Sequence, residues 1–247
     1  MKLFPVAVIS TVLVIAVGVG LVSQVFLTIA DVPKQDVMIS INVNDDPNLP
    51  QWCNELSSVL DATAIRATVF VAGKVAEEHP GCIEKLAAND RLDIGSQTYS
   101  YVSLPSIQDY TIQLEEVRNG KNSVDNTAKV DSRLFKAPFG KTNDEIYSLL
   151  NRSGIIADFS YHDHYNKYYE GQYIWFNVTS YEVTRHEPSY YNTLALTDTP
   201  LIINFDTSGQ IFQLRDLVLQ LQGGHFRFVN ASDLTQLELT VRGKDQA

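Results

Sequence analysis

The chain has 247 residues, 45% of them hydrophobic and 10% aromatic, with a formal net charge of −10 at pH 7. That apolar content is enough for one sizeable core and one globular domain. The acidic balance, with a pI near 4.9, leaves no basic face for phosphate and so excludes a nucleic-acid partner.

The chain opens on an apolar run, FPVAVISTVLVIAVGVGLV from Phe4 to Val22, that carries no charge and is extended by Val25 to Ala30. A helix of that length crosses a hydrocarbon core of roughly 30 Å, whereas the apolar part of a cleaved secretory signal spans only about 7–15 residues. The reading is an N-terminal transmembrane helix within residues 1–31, with a signal segment cut near Ala30 as its alternative. Lys2 precedes the run while Asp31 and Asp36 follow it, which puts the N-terminus in the cytoplasm and the remainder in an extracytoplasmic position. A short stem over 32–36, a globular domain over 37–240 and a tail over 241–247 complete the division. Cys53 and Cys82 fit an oxidising exterior as a disulfide, and fit equally as two small buried apolar residues. Asn151, Asn177 and Asn230 each begin an Asn-x-Ser/Thr triplet that an exported chain can present for glycosylation.

Past the stem, VMISINV alternates Ile39, Ile41 and Val43 with Met38, Ser40 and Asn42 and stops at Asp45-Asp46-Pro47, the pattern of a strand. Trp52 to Leu60 has helical spacing, and ATVFVA from Ala67 to Ala72 is a second, β-branched strand. Pro80-Gly81 should break the helical stretch Val75 to Ala88 in two. Further expected elements are a strand at Leu92 to Gly95, a helix at Ile112 to Val124, a strand at Ser132 to Phe135 and a helix at Asp144 to Asn151. A strand at Ile155 to Phe159, a strand at Leu201 to Phe205, a helix at Phe212 to Leu221 and a last strand at Phe226 to Val229 follow. Such alternation predicts a parallel α/β barrel or an open doubly wound sheet. Reactive groups then belong on the loops at the strands' carboxyl ends, which is where Asp45, Asp46, the Gly95–Tyr101 loop, Pro138 to Gly140, Asp158 to His164 and Asp206 fall. Eight of the twelve tyrosines lie between Tyr161 and Tyr191.

Four stretches in order, ATVFVAG, DIGSQTYSYVSL, LFKAPFG and PLIINFD, resemble the strand, histidine-loop, arginine-proline-glycine-loop and last-strand motifs of the polysaccharide deacetylase (NodB-homology) family. The resemblance runs from Val37 to Leu234 and implies a distorted (β/α) barrel of the polysaccharide deacetylase type. It also implies a metal-dependent hydrolase of non-peptide carbon-nitrogen bonds, in which a divalent metal, commonly zinc, is held by an aspartate and two histidines. On that pattern Asp45 takes the general-base position and Asp46 the first metal-ligand position. The two histidine ligands fall on Gln97 and Tyr101, the base-tethering arginine on Lys136, and the histidine that protonates the leaving amine on Phe205.

A neutral amide and a phenol are poor replacements for imidazole toward zinc, a phenyl ring transfers no proton, and lysine lacks the bidentate fork of arginine. Pro138, Phe139 and Gly140 keep the turn whose backbone amide serves the oxyanion in the family. The expectation is therefore a membrane-anchored pseudoenzyme with no cofactor, binding a cell-surface glycan or a protein partner at a mouth formed by Asp45, Asp46, Gln97, Tyr101, Lys136, Phe139 and Asp158. Aromatic residues of the Tyr161–Tyr191 stretch are expected to contribute. Two alternatives stand beside it: an active glycan N-deacetylase whose metal has moved to His162 and His164, and a structural subunit of a membrane complex.

Overall fold

The computed structural model describes residues 35–160, 174–175, 180–182, 200–224 and 226–245. The apolar N-terminal run and His162 and His164 lie outside them, as does most of the tyrosine-rich stretch. Among the described residues no helix is long and apolar enough to cross a membrane.

Among the described residues nine parallel strands form one curled sheet flanked by helices. In chain order the elements are β1 (Gln35–Val43), α1 (Leu49–Thr63), β2 (Ala67–Val71), α2 (Gly73–Glu78), α3 (Pro80–Ala87), β3 (Leu92–Ser96), α4 (Tyr110–Ala128), β4 (Leu134–Phe135) and α5 (Asp144–Arg152). They continue with β5 (Ala157–Asp158), β6 (Ile174–Trp175), β7 (Ser180–Glu182), β8 (Leu201–Asp206), α6 (Ile211–Gln222), β9 (Phe226–Val229) and α7 (Ala231–Asp245). The strands run β6-β5-β4-β3-β2-β1-β8-β7, with β9 also on β1. The expected barrel is thus a half-barrel, with β6 and β7 ending the path.

The first strand organises the sheet. β8 pairs with Val37 to Asn42 along one edge. β9 takes Gln35 to Met38 and β2 takes Ser40 to Val43. Both overlap the β8 register, so β9 and β2 share the opposite edge, one behind the other. Strand pairing begins at Gln35, two residues before the expected start, because Asp36 lies opposite Arg227 and accepts both its Nε (2.6 Å) and its Nη2 (2.8 Å).

Alternation along β1 assigns its two faces. Val37, Ile39, Ile41 and Val43 pack with Ala67, Val69 and Val71 of β2 under α1, α3 and α6. Met38 faces the concave side and packs with Phe70, Leu134, Phe159, Ile202 and Val229, closed from below by Ala231 and Leu234 of α7. A third cluster joins Val117 of α4 and Ile146, Leu149 and Leu150 of α5 to Phe135. Pro80 opens α3 and separates it from α2 as expected, and Cys53 of α1 is disulfide-bonded to Cys82 of α3, with Cα atoms 5.7 Å apart.

Helix α7 was not foreseen and crosses the expected boundary at residue 240. Its start is a reciprocal cap: Asp233 N–H donates to Asn230 Oδ1 at 3.0 Å, and Asn230 N–H to Asp233 Oδ2 at 3.1 Å. Asn230 is buried and committed to this cap, so the triplet that it begins is closed to glycosylation.

Candidate functional site

The loop after β1 sets the two aspartates apart in role. Asp46 Oδ1 accepts the Asn48 N–H at 2.7 Å and its carbonyl accepts the Leu49 N–H at 3.0 Å, a turn that launches α1. Asp45 is exposed, and the Nε2 of His79 lies 4.0 Å from its Oδ1. The break between α2 and α3, where His79 stands just before Pro80, brings the imidazole to Asp45.

The loop after β3 is built to a close tolerance. A Cβ at Gly120 would come within 2.2 Å of the Gln97 carbonyl oxygen, so α4 lies directly on the loop backbone. Tyr99 N–H donates to Glu116 O at 2.8 Å, and Ser100 donates to the Glu116 carboxylate from both N–H (2.9 Å) and Oγ (2.7 Å). Glu116, Gly120 and Gly73, whose Cβ would meet Gly120 at 2.8 Å, therefore position the loop. None was legible beforehand, since their role depends on an approach between elements distant in the chain.

Within this loop Gln97 is 1% exposed, and its Oε1 has no hydrogen-bond partner among the described residues. Tyr101 holds a left-handed backbone, φ 58°, and its ring lies 5.1 Å from that of Phe139, itself at φ 59° and 65% exposed. Two bulky residues in that region each cost of the order of 1–3 kcal/mol, which the loop holds through Glu116 and the 3₁₀ turn through the Gly140 N–H to Ala137 carbonyl bond at 2.9 Å.

Asp46, Gln97 and Tyr101 offer one carboxylate already used in a turn, one neutral amide and one phenol packed on a ring. This donor set does not fit zinc, which takes imidazole, thiolate or carboxylate in a tetrahedral array.

Phe205 occupies the acid position as a core residue. Its ring stacks on Trp52 of α1 with centroids 6.1 Å apart and planes at 11°, and it is 1% exposed. A Cβ at Gly209 would reach 2.4 Å from the Phe205 ring, so the turn after β8 folds over it. Alternation on the strand sends Phe205 toward α1 and Asn204 toward the concave side.

Lys136 also departs from expectation. It is buried in the concave side, donating from Nζ to Ser40 Oγ at 2.7 Å and to Asn204 Oδ1, with Phe70's ring centre 5.7 Å away. It does not tether Asp45, because it joins β4 to β1 and β8 below the mouth. Asp158 is fully buried, and its Oδ1 accepts the Ser160 N–H at 3.0 Å and hydroxyl at 2.5 Å, while Ser160 Oγ accepts the Ala137 N–H at 2.7 Å. That side chain braces the β4 and β5 loops and presents no surface to a ligand. The structure thus gathers Tyr101 and Phe139 at the mouth and places Asp45 beside His79. It withdraws Lys136, Asp158 and Phe205 into packing.

The polysaccharide deacetylase family profile matches residues 31–157, just over half of the chain. Among solved structures the chain is similar to a protein from Mycobacterium smegmatis described as a polysaccharide deacetylase, at TM-score 0.67 and 16% identity over 87% of this chain and 93% of that one. It is also similar to the peptidoglycan deacetylase PdaC of Bacillus subtilis, at TM-score 0.60 and 13% identity over 87% and 97%. A third is a family 4 carbohydrate-esterase pseudoenzyme from Bacillus anthracis, at TM-score 0.60 and 14% identity over 83% and 66%; a mutant of that protein has restored enzymatic activity. The family match and the shared half-barrel converge on one conclusion: the chain belongs to the polysaccharide deacetylase family.

Proposed function

We propose that the chain is a non-catalytic member of this family that binds a cell-surface glycan, held at the outer face of a membrane by its N-terminal apolar run. The observation that carries the loss of catalysis is Phe205, sealed between Trp52 and the Gly209 turn where the family places its proton donor. The phenyl ring of Phe205 transfers no proton to a leaving amine, and the donor set of Asp46, Gln97 and Tyr101 does not suit the family's metal. Asp45 keeps a carboxylate beside His79, but a base without an activated water or an acid completes no hydrolysis. Support for binding comes from the exposed ring of Phe139, backed at the mouth by the half-buried ring of Tyr101, since aromatic faces pack against sugar rings while hydroxyl and amide groups hold orientation.

Acetate release from chitohexaose by the full chain, with and without added zinc, tests the reading. Release is expected to stay at the level of the buffer control, and turnover that a chelator abolishes would refute it. Combining Gln97→His, Tyr101→His and Phe205→His is expected to raise zinc affinity measurably, because the loop that carries positions 97 and 101 is already braced by α4.

A further inference from the structure

Helix α6 turns Ile211, Leu214, Leu217, Val218 and Leu221 inward, as an amphipathic helix over a sheet requires. Between Ile211 and Gln220 its exposed residues are Phe212, Arg215, Asp216 and Leu219. They stand at i, i+3, i+4 and i+7 and so make one stripe along the outer side of the helix. Phe212 is 51% and Leu219 53% exposed. A lone apolar residue on a surface is ordinary, but here two of them, two turns apart, bracket a pair of opposite charges.

The stripe is self-complementary. Phe212 stands three residues before Arg215, and Leu219 three residues after Asp216. A second α6, turned end over end about the midpoint of Arg215 and Asp216, lays each Arg215 against the other copy's Asp216. The same rotation lays each Phe212 against the other copy's Leu219. That reciprocity, residue i on j and j on i, is what a two-fold interface demands. Within one copy Arg215 Nη2 lies 3.0 Å from Asp216 Oδ1, and both side chains are about half exposed. Such a surface pair contributes little to stability and exchanges partners at small cost. Beside the stripe, Phe212, Arg215 and the half-buried Val59 of α1 line a groove of about 910 Å³, which gives the leucyl group of a second copy an apolar seat.

We infer that the chain associates with a second copy of itself through this face of α6, as an antiparallel two-fold pair. The face lies on the outer side of α6, and the inference does not depend on the glycan reading. A stripe this narrow buries less than the roughly 1,200 Å² of standard interfaces, so the dimer is reversible, half-formed near about 100 μM.

Sedimentation velocity of the full chain in a non-ionic detergent, at concentrations either side of that value, tests it. Arg215→Asp makes the central pair wholly acidic and Asp216→Arg makes it wholly basic. Each alone is expected to weaken dimerisation about tenfold, because like charges then meet across the axis. Leu219→Ser, at an exposed position, should weaken it about fivefold by removing apolar area. Mixed in equal amounts, the acidic and basic variants should pair with each other at least as well as the parent pairs with itself, since every aspartate of one then meets an arginine of the other. That recovery cannot come from misfolded chains. A parent that stays monomeric at about ten times the expected midpoint overturns the inference. So does a dimer that neither charge variant weakens, or a pair of variants that fails to recover on mixing.

Discussion

At position 205, where the family resemblance implies a side chain that reacts, stands one that packs, and its neighbours fit round it. Gly209 is the adapted partner, because an added methyl would overlap the Phe205 ring, which Trp52 fixes from its other face. Gly209→Ala is therefore expected to destabilise the chain by about 1–3 kcal/mol in urea unfolding. In a Phe205→Leu background most of that penalty should vanish, since the smaller side chain yields the space; equal penalties in both backgrounds would show that the contact is not what matters. The exchanged residues themselves were legible in the sequence, because ordered motifs assign Gln97, Tyr101 and Phe205 their places. Their environments were not. Nothing local to PLIINFD says that Phe205 turns toward α1, or that Lys136 is drawn down to Ser40 and Asn204.

Among the elements, strands and helices with strong periodicity matched expectation closely: β9 to the residue, and α2 and α3 split at Pro80. Two-residue strands such as β4 and β5 are shorter than their apolar runs because the neighbouring strands pair with them over so few positions. Helix α7 went unread because its apolar residues make no clear stripe; its one sequence signal was the Asn230-x-x-Asp233 cap. The Cys53–Cys82 bridge ties α1 to α3 across 29 residues. Replacing both by serine is expected to cost about 2–4 kcal/mol, read as a lowered urea midpoint against the parent under non-reducing conditions.

Asp93, at the docking of α7 on β3, gives a pH signature. Burial lifts its carboxyl above the usual value, partly offset by the Ser232 N–H that donates to it at 2.7 Å. The folded state then holds the proton more firmly than the unfolded state does. This contribution to stability falls as pH rises from about 4 through the raised pKa, and is level above it. Asp93→Asn keeps an acceptor for Ser232 and should flatten that fall in melting curves taken between about pH 4 and pH 7.

For the whole molecule, the arrangement of β1 carries a consequence in time. The strand that leads the described chain finds its neighbours last: β8 pairs Val37 with Leu201, and β9 pairs Gln35 with Phe226. A ribosome must release the chain as far as Val229 before the edge over Gln35 to Met38 can close, and such distant pairings are slow and leave sticky strand edges open meanwhile. A chain ended after Gly224 retains the mouth residues and the disulfide but lacks β9 and α7. It is expected to be recovered largely in the insoluble fraction, while full-length protein expressed in parallel is not; equal solubility of the two would remove β1 from this role. On this account the newborn chain keeps its first strand half-paired until Phe226–Val229 and Ala231–Asp245 emerge, and those two elements decide whether it leaves as a folded protein.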